Sequence, residues 1–206
     1  MRLSEDGEPR SIEIRCKGDK CHKINSVVEP EIVGYGDITV GIVGEAPYKD
    51  EVDYRDADGD IHPRPFVGNS GVLLRQYFDY DKYTYYIVNS INCLTYEYET
   101  TVKPSEMTVR ERTQRLMACK PFVDQVLNLL DDGSVIVTLG VFARLSLFGD
   151  KVSVSVFPRE YGLGDKRFFV FVNHHPSYLL HKPSMVTEFE EILEASGVFK
   201  FEGQGS

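Results

Sequence analysis

Three side chains capable of chemistry stand just past apolar runs. Glu45 follows ITVGIVG, Asn89 ends YTYYIVN, and His175 comes two residues after FFVFVN begins to turn polar. A carboxylate can position a water or offset positive charge, and an imidazole can give or take a proton near neutrality. An amide presents a donor and an acceptor side by side. Each alone has an ordinary explanation: a loop acceptor, a turn residue, a packed loop histidine. Together, at the ends of separate strands, they describe a site. The cysteines Cys16, Cys21, Cys93 and Cys119 form a second set. In an intracellular chain such thiols bind metal or stay uncoordinated more often than they form disulfides.

The elements that would position these groups follow from the pattern of apolar residues. Residues 38–43, 82–88, 135–139 and 167–172 are β-rich runs bounded by turn formers and read as buried strands. Helical spacing occupies 70–78, 108–130 (Leu116, Phe122, Val123, Val126, Leu127, Leu130) and 184–195, with a shorter helix carrying Phe142, Leu145 and Leu147. Residues 152–157 alternate as an edge strand or hairpin arm. Strands alternating with helices predict an α/β fold with a parallel sheet covered on both faces, and ligands bind at the carboxyl edge of such a sheet. Residues 1–30 are polar and irregular. The 206 residues are most simply one domain.

Composition narrows the class. With 42% hydrophobic residues the chain is globular, and no apolar run reaches membrane-spanning length. The start, MRLSEDGEPR, has no apolar signal region, so a soluble cytoplasmic protein of a prokaryote or virus is expected, with no membrane partner. The net charge of −9 argues against a nucleic-acid binder held by bulk electrostatics. That charge is uneven, however: residues 61–180 carry 12 acids and 13 bases, which leaves room for a local anion site.

GEAPY followed by PFVGNSGVLL resembles the GEAPG and PFVG-x-AG-x-LL segments of family 4 uracil-DNA glycosylases, the iron–sulfur class. Asn89-Ser90-Ile91-Asn92-Cys93 is similar to that family's N-x-x-K-C, Val137-Thr138-Leu139-Gly140 to its V-x-L-G, and His175-Pro176-Ser177 to its H-P-S. The order is kept from residue 16 to about 180. The resemblance implies a three-layer α/β/α fold with a central four-stranded parallel sheet. It also implies hydrolysis of the bond between uracil and deoxyribose in DNA, by a protein expected to be a monomer.

The same resemblance distributes roles. Glu45 would position the attacking water, and His175 would stabilise the departing base by a hydrogen bond. Phe66 would stack on the base (or be a core residue beneath the loop), Asn89 would read its edge, and Ala46 would line the slot. Ser70, Pro176, Ser177 and Leu179 would meet DNA, the last as a wedge beside Leu180. Cys16, Cys21, Cys93 and Cys119 match the four cysteines of a 4Fe-4S cluster; zinc or uncoordinated thiols are the alternatives. Here the first pair is spaced C-x4-C rather than C-x2-C, and thiolate clusters tolerate variable loops.

Tyr48 replaces the last Gly of GEAPG and matches the Tyr of the GQDPY motif in family 1 enzymes; it either excludes a C5 methyl or packs on the loop. The link 52–64 is longer than the family's, and its acidic DADGD reads as a surface loop rather than a calcium site. The KRRIH stretch of the covalently reacting relatives is missing. Two other readings stand beside the enzyme: a catalytically weak, glycosylase-like DNA-binding or scaffolding module, for instance viral or replication-associated, and an α/β enzyme acting on free nucleosides.

Overall fold

The structure is a computed structural model and describes residues 27–93, 107–149 and 152–201. Cys16, Cys21 and most of the N-terminal arm lie outside the described residues. The strands are β1 (Glu31–Val33), β2 (Ile38–Gly44), β3 (Tyr83–Asn89), β4 (Val135–Leu139), β5 (Ser155–Leu163) and β6 (Lys166–Asn173). The helices are α1 (Lys49–Val52), α2 (Asn69–Arg75), α3 (Val109–Leu127), α4 (Val141–Phe148), α5 (Pro176–His181) and α6 (Val186–Ser196).

One six-stranded sheet runs in the order β1-β3-β2-β4-β6-β5. The expected four-stranded parallel sheet is corrected to a mixed one. Its inner strands β3, β2, β4 and β6 pair in parallel, and antiparallel β1 and β5 close the two edges. β1 is only three half-buried residues, too short to leave a periodic signal. β5 is mostly exposed and carries Pro158 and a register shift between Ser155 and Arg159, features that an edge tolerates and a central strand does not.

The inner strands are buried on both faces, which is why they read as unbroken apolar runs. Alternate residues divide between two cores. Val40, Ile42, Tyr85, Ile87, Val137, Leu139 and Phe171 face one core, with Leu74 of α2 and Phe189, Ile192 and Leu193 of α6. Val43, Tyr86, Val88, Ile136, Phe168 and Val170 face the other, with Phe122, Val123 and Val126 of α3 and Ala143 and Leu147 of α4. α3 starts where Thr108 and Glu111 cap each other's backbone amides (Glu111 N to Thr108 Oγ1, 3.2 Å; Thr108 N to Glu111 Oε2, 2.9 Å). No helix among the described residues is long and apolar enough to cross a membrane.

Register fixes what the sheet edge presents. Gly44 pairs with Asn89, Val43 with Thr138 and Leu139 with Asn173. The carboxyl ends of all four inner strands therefore finish level, and the segments that follow them start from one line.

Candidate active site

A cavity of about 730 Å3 opens on that line, within the usual range for small-molecule sites. Glu45, Ala46, Tyr48, Phe66, Ser70, His175 and Ser177 all line it. Of the residues expected to form a site, these seven come together.

Glu45 leaves β2 and reaches across to α4. Its Oε1 accepts from the backbone amides of Val141 (2.5 Å) and Phe142 (3.2 Å), the first turn of that helix. Exposed amides and the helix dipole both favour a carboxylate there. Gly140, at φ 97°, makes the approach possible: a Cβ on it would lie 2.4 Å from Glu45 Oε1. The Glu45 carbonyl accepts from Ser90 Oγ (2.7 Å) and Ile91 N (3.0 Å), so its backbone is tied to the β3 end as well. Oε2 has no hydrogen-bond partner among the described residues.

His175 caps α5, a helix whose Pro176 sits at the first position, where a missing N–H costs nothing. Its Nδ1 accepts from the Ser177 amide (3.2 Å) and lies 2.7 Å from Ser177 Oγ. A nitrogen that accepts from an amide carries no proton, so the neutral ring keeps its proton on Nε2. Burial pushes the His175 pKa below the usual histidine value, and the nearby Glu45 charge opposes that only in part. The ring is offset-stacked on Phe66, 5.8 Å between centroids and 24° between planes.

Phe66 has its backbone at φ 55°, the one described non-glycine residue in the left-handed region. Holding it there costs about 1–3 kcal/mol. Several contacts outweigh that cost. Its N–H donates to Glu51 Oε1 (2.5 Å), and its carbonyl accepts from Arg75 Nε (3.0 Å). Arg75 Nη2 also donates to the Pro65 carbonyl (2.9 Å) and pairs with Glu31 of β1. Charge-assisted bonds of this kind are worth about 1.5–3 kcal/mol each. A Cβ at Gly71 would lie 1.8 Å from the Phe66 carbonyl oxygen, so the strained turn and α2 require a glycine at that point.

Glu51 is the residue that the sequence reading missed. Three positions after Tyr48 it looks like a surface acid in a first helical turn, yet it is 8% exposed. Its other oxygen accepts from Tyr48 N (2.7 Å), so one carboxylate joins both ends of the loop between β2 and α2. Desolvation raises its pKa above the ordinary carboxylate value, against the lowering effect of these amides and of the Asn89 side chain.

Three expected contacts sit elsewhere. Asn89 is 3% exposed and lies behind the cavity wall, with Oδ1 where a Gly44 side chain would be. Its amide is near enough to Glu51 to lower that acid's proton affinity, but Nδ2 meets hydrogen-bond geometry with no group. Leu179, expected as a wedge, is buried at 2% in the core, and Leu180 is the exposed neighbour at the cavity rim. Helical spacing decides this, since α5 turns the two leucines to different sides. Pro176 is buried and starts α5 instead of facing solvent. His174 joins β6 to α6 through Glu188 (2.8 Å) and stacks on Tyr178. In the acidic link, Asp56 Oδ1 accepts from the amides of Asp58 and Asp60 (3.0 Å each), closing a surface turn.

Cys93 and Cys119 are both buried in a third apolar cluster with Ala46, Ile91, Leu116 and Phe142. Val27 bridges to Cys93, and Val28 N donates to the Asn92 carbonyl (2.8 Å). The chain that carries Cys21 six residues earlier thus arrives beside Cys93. The Asn92 side chain, 1% exposed, finds no hydrogen-bond partner at either amide atom.

A family model described as Uracil DNA glycosylase superfamily matches residues 33–196, a span that holds the whole cavity and stops short of Cys16 and Cys21. No curated protein matches the sequence.

The raised Glu51 pKa gives a sign that can be measured. A folded state that holds this proton more tightly than the unfolded chain has the benefit in full below the ordinary glutamate pKa and loses it as pH rises through the folded value. Relative to Glu51→Gln, the wild-type unfolding free energy should therefore fall as pH rises from about 4.5 through that window. Parallel denaturant curves across that range would show that Glu51 is not desolvated.

Proposed function

The chain belongs to the uracil DNA glycosylase superfamily, and we propose that it hydrolyses the N-glycosidic bond of deoxyuridine in DNA, releasing uracil and leaving an abasic site. The observation that carries this reading is the convergence of Glu45, Phe66 and His175 on one cavity at the sheet edge.

A base inside a duplex is out of reach, so the nucleotide is rotated out or taken from single-stranded DNA. Stacking on Phe66 offsets part of the unstacking, typically about 1–3 kcal/mol per base. As the glycosidic bond lengthens, negative charge moves onto uracil. The His175 Nε2–H, left as the donor by the Ser177 contacts at Nδ1, stabilises the anion at O2 while the ring stays neutral. Positive charge on the sugar is offset by Glu45, whose Oε1 is held by α4 and whose Oε2 accepts from the attacking water. The proton of that water ends on solvent or on Glu45, and the hydroxyl forms the new bond to C1′.

In the base-bound state Asn89, which here stands behind the cavity wall, would tell uracil from cytosine by which way its amide is turned. Uracil needs a donor toward O4 and an acceptor toward N3–H, and cytosine needs the reverse. A free amide could flip to serve either base. The ionised Glu51 carboxylate only accepts, so it would favour Nδ2 on its own side, the flip that suits uracil. The unpartnered Nδ2 supports a role completed by a ligand, since a buried orphan donor costs about 1–3 kcal/mol until it is met. Tyr48, 49% exposed at the cavity wall, would exclude a C5 methyl by collision. A collision is needed because a lost methyl contact alone discriminates by only about 1–3 kcal/mol.

A 4Fe-4S cluster fits the donors present: two buried cysteines in one cluster of side chains, a bridge from Val27 to Cys93, and an orphaned amide next to Cys93 in sequence. Cys16, Cys21, Cys93 and Cys119 would hold it. The group supplies a crosslink between the arm and the core rather than a step of hydrolysis. Under this reading the partner is uracil-containing DNA and the protein acts as a cytoplasmic monomer.

Base release from oligonucleotides tests the activity. Glu45→Ala and His175→Ala should each slow uracil excision about 10²–10³-fold under single-turnover conditions; near-wild-type rates in both would sink the assignment. On a panel of bases, Glu51→Gln should narrow the ratio of uracil to cytosine release, and Tyr48→Gly should admit thymine. An unchanged ratio in the first variant would remove the flip argument. Purified protein should carry iron and sulfide in about equal amounts, and Cys93→Ser or Cys119→Ser should lower folding yield; zinc in their place would contradict the cluster.

A further inference from the structure

Among the described residues that line the cavity, Arg144 is the single arginine or lysine, and three carboxylates, Glu45, Asp50 and Glu51, line it too. A guanidinium in such company ordinarily pairs with one of them. Here Glu45 is turned to the amides of α4 and Glu51 to those of Tyr48 and Phe66. Among the described residues Arg144 makes no ion pair, and its buried Nε has no hydrogen-bond partner. A buried, unmet donor on a charged group costs more than one on a neutral group. A partner absent from the protein removes that cost.

All five guanidinium N–H groups donate and none accepts, so the missing partner is an acceptor, and the fixed positive charge favours an anion. Glu45 and Glu51 share the cavity with the residue but are spent on backbone amides, so neither is turned to the cation. Arg144 lies one turn into α4, the helix whose first amides hold Glu45, so both groups are set by one rigid element. The neighbouring wall brings Ser177, Tyr178 and His181 of α5. In a chain of net charge −9, a polyanion needs such a local anchor.

We propose that Arg144 binds a backbone phosphate of the DNA strand next to the nucleotide held in the cavity. The proposal rests on the DNA-glycosylase reading. The planar fork matches two phosphate oxygens at once, which fixes the strand's position as well as attracting it. Glu45, already bonded at Oε1, keeps its place beside the reacting sugar because the cation is occupied by phosphate rather than by the carboxylate.

Fluorescence anisotropy with a single-stranded oligonucleotide carrying a tetrahydrofuran abasic analogue reads the contact directly. Arg144→Gln should weaken binding about tenfold at low salt and reduce the slope of log affinity against log salt by about 0.7. Arg144→Lys should keep the slope while losing part of the affinity, because it retains charge without the fork. On uracil-containing DNA, Arg144→Gln should raise KM more than it lowers kcat. A folded Arg144→Gln protein with the wild-type slope overturns the proposal, as does a slope lost equally in the Lys variant. Wild-type protein that releases uracil while all three slopes agree leaves the glycosylase reading intact and removes the phosphate contact. Wild-type protein that releases no uracil, yet loses salt dependence in the Gln variant, does the reverse.

Discussion

The bond from the Phe66 amide to the Glu51 carboxylate is the constraint on which the site depends. Phe66 occupies a backbone conformation that a phenylalanine avoids. It stays there because Glu51 holds its N–H and Arg75 its carbonyl, while Glu31 holds Arg75. Through this chain the short edge strand β1 and the helix α2 both bear on one aromatic ring. The same carboxylate fixes Tyr48 and faces Asn89. Burying it is unfavourable, as its raised pKa records, and the amides it satisfies offset that cost. Strain and a buried charge in one loop are features that folding alone would not select, and they coincide with the cavity.

The opposite wall follows a different logic. Glu45 is held by the N-terminus of one helix and His175 caps that of another, so backbone amides help to orient each side chain, with the Ser177 hydroxyl also on His175. Backbone donors do not titrate and do not swing away, which suits groups that must meet charge developing on a ligand. Burial favours the neutral form of the imidazole, so the two groups are given unlike surroundings. Among the described residues the arrangement also leaves the buried Nε of Arg144 without a partner, with Glu45 and Glu51 both spent on backbone amides.

Much of this was legible in the chain. Four inner strands are unbroken apolar runs because both their faces are covered, so their ends, and with them Glu45, Asn89 and His175, could be placed at one edge. The spacing of its apolar residues located α3, the longest helix among the described residues. The edges were harder. β1 is three residues long, and α5 is hidden behind a proline whose value as a helix start depends on His175 acting as its cap.

The sequence by itself determined the sheet, its covering helices and the set of side chains at its carboxyl edge, because hydrophobic periodicity and turn chemistry are local. Only the tertiary structure decided which of those side chains face the cavity. Asn89 stands behind the wall and Leu179 points into the core, because a one-residue change of phase on a strand or helix reverses a side chain's face. Glu51 reads as a solvated first-turn acid until the return of the chain at Pro65 and Phe66 covers it, a contact between residues 15 apart that no local pattern encodes.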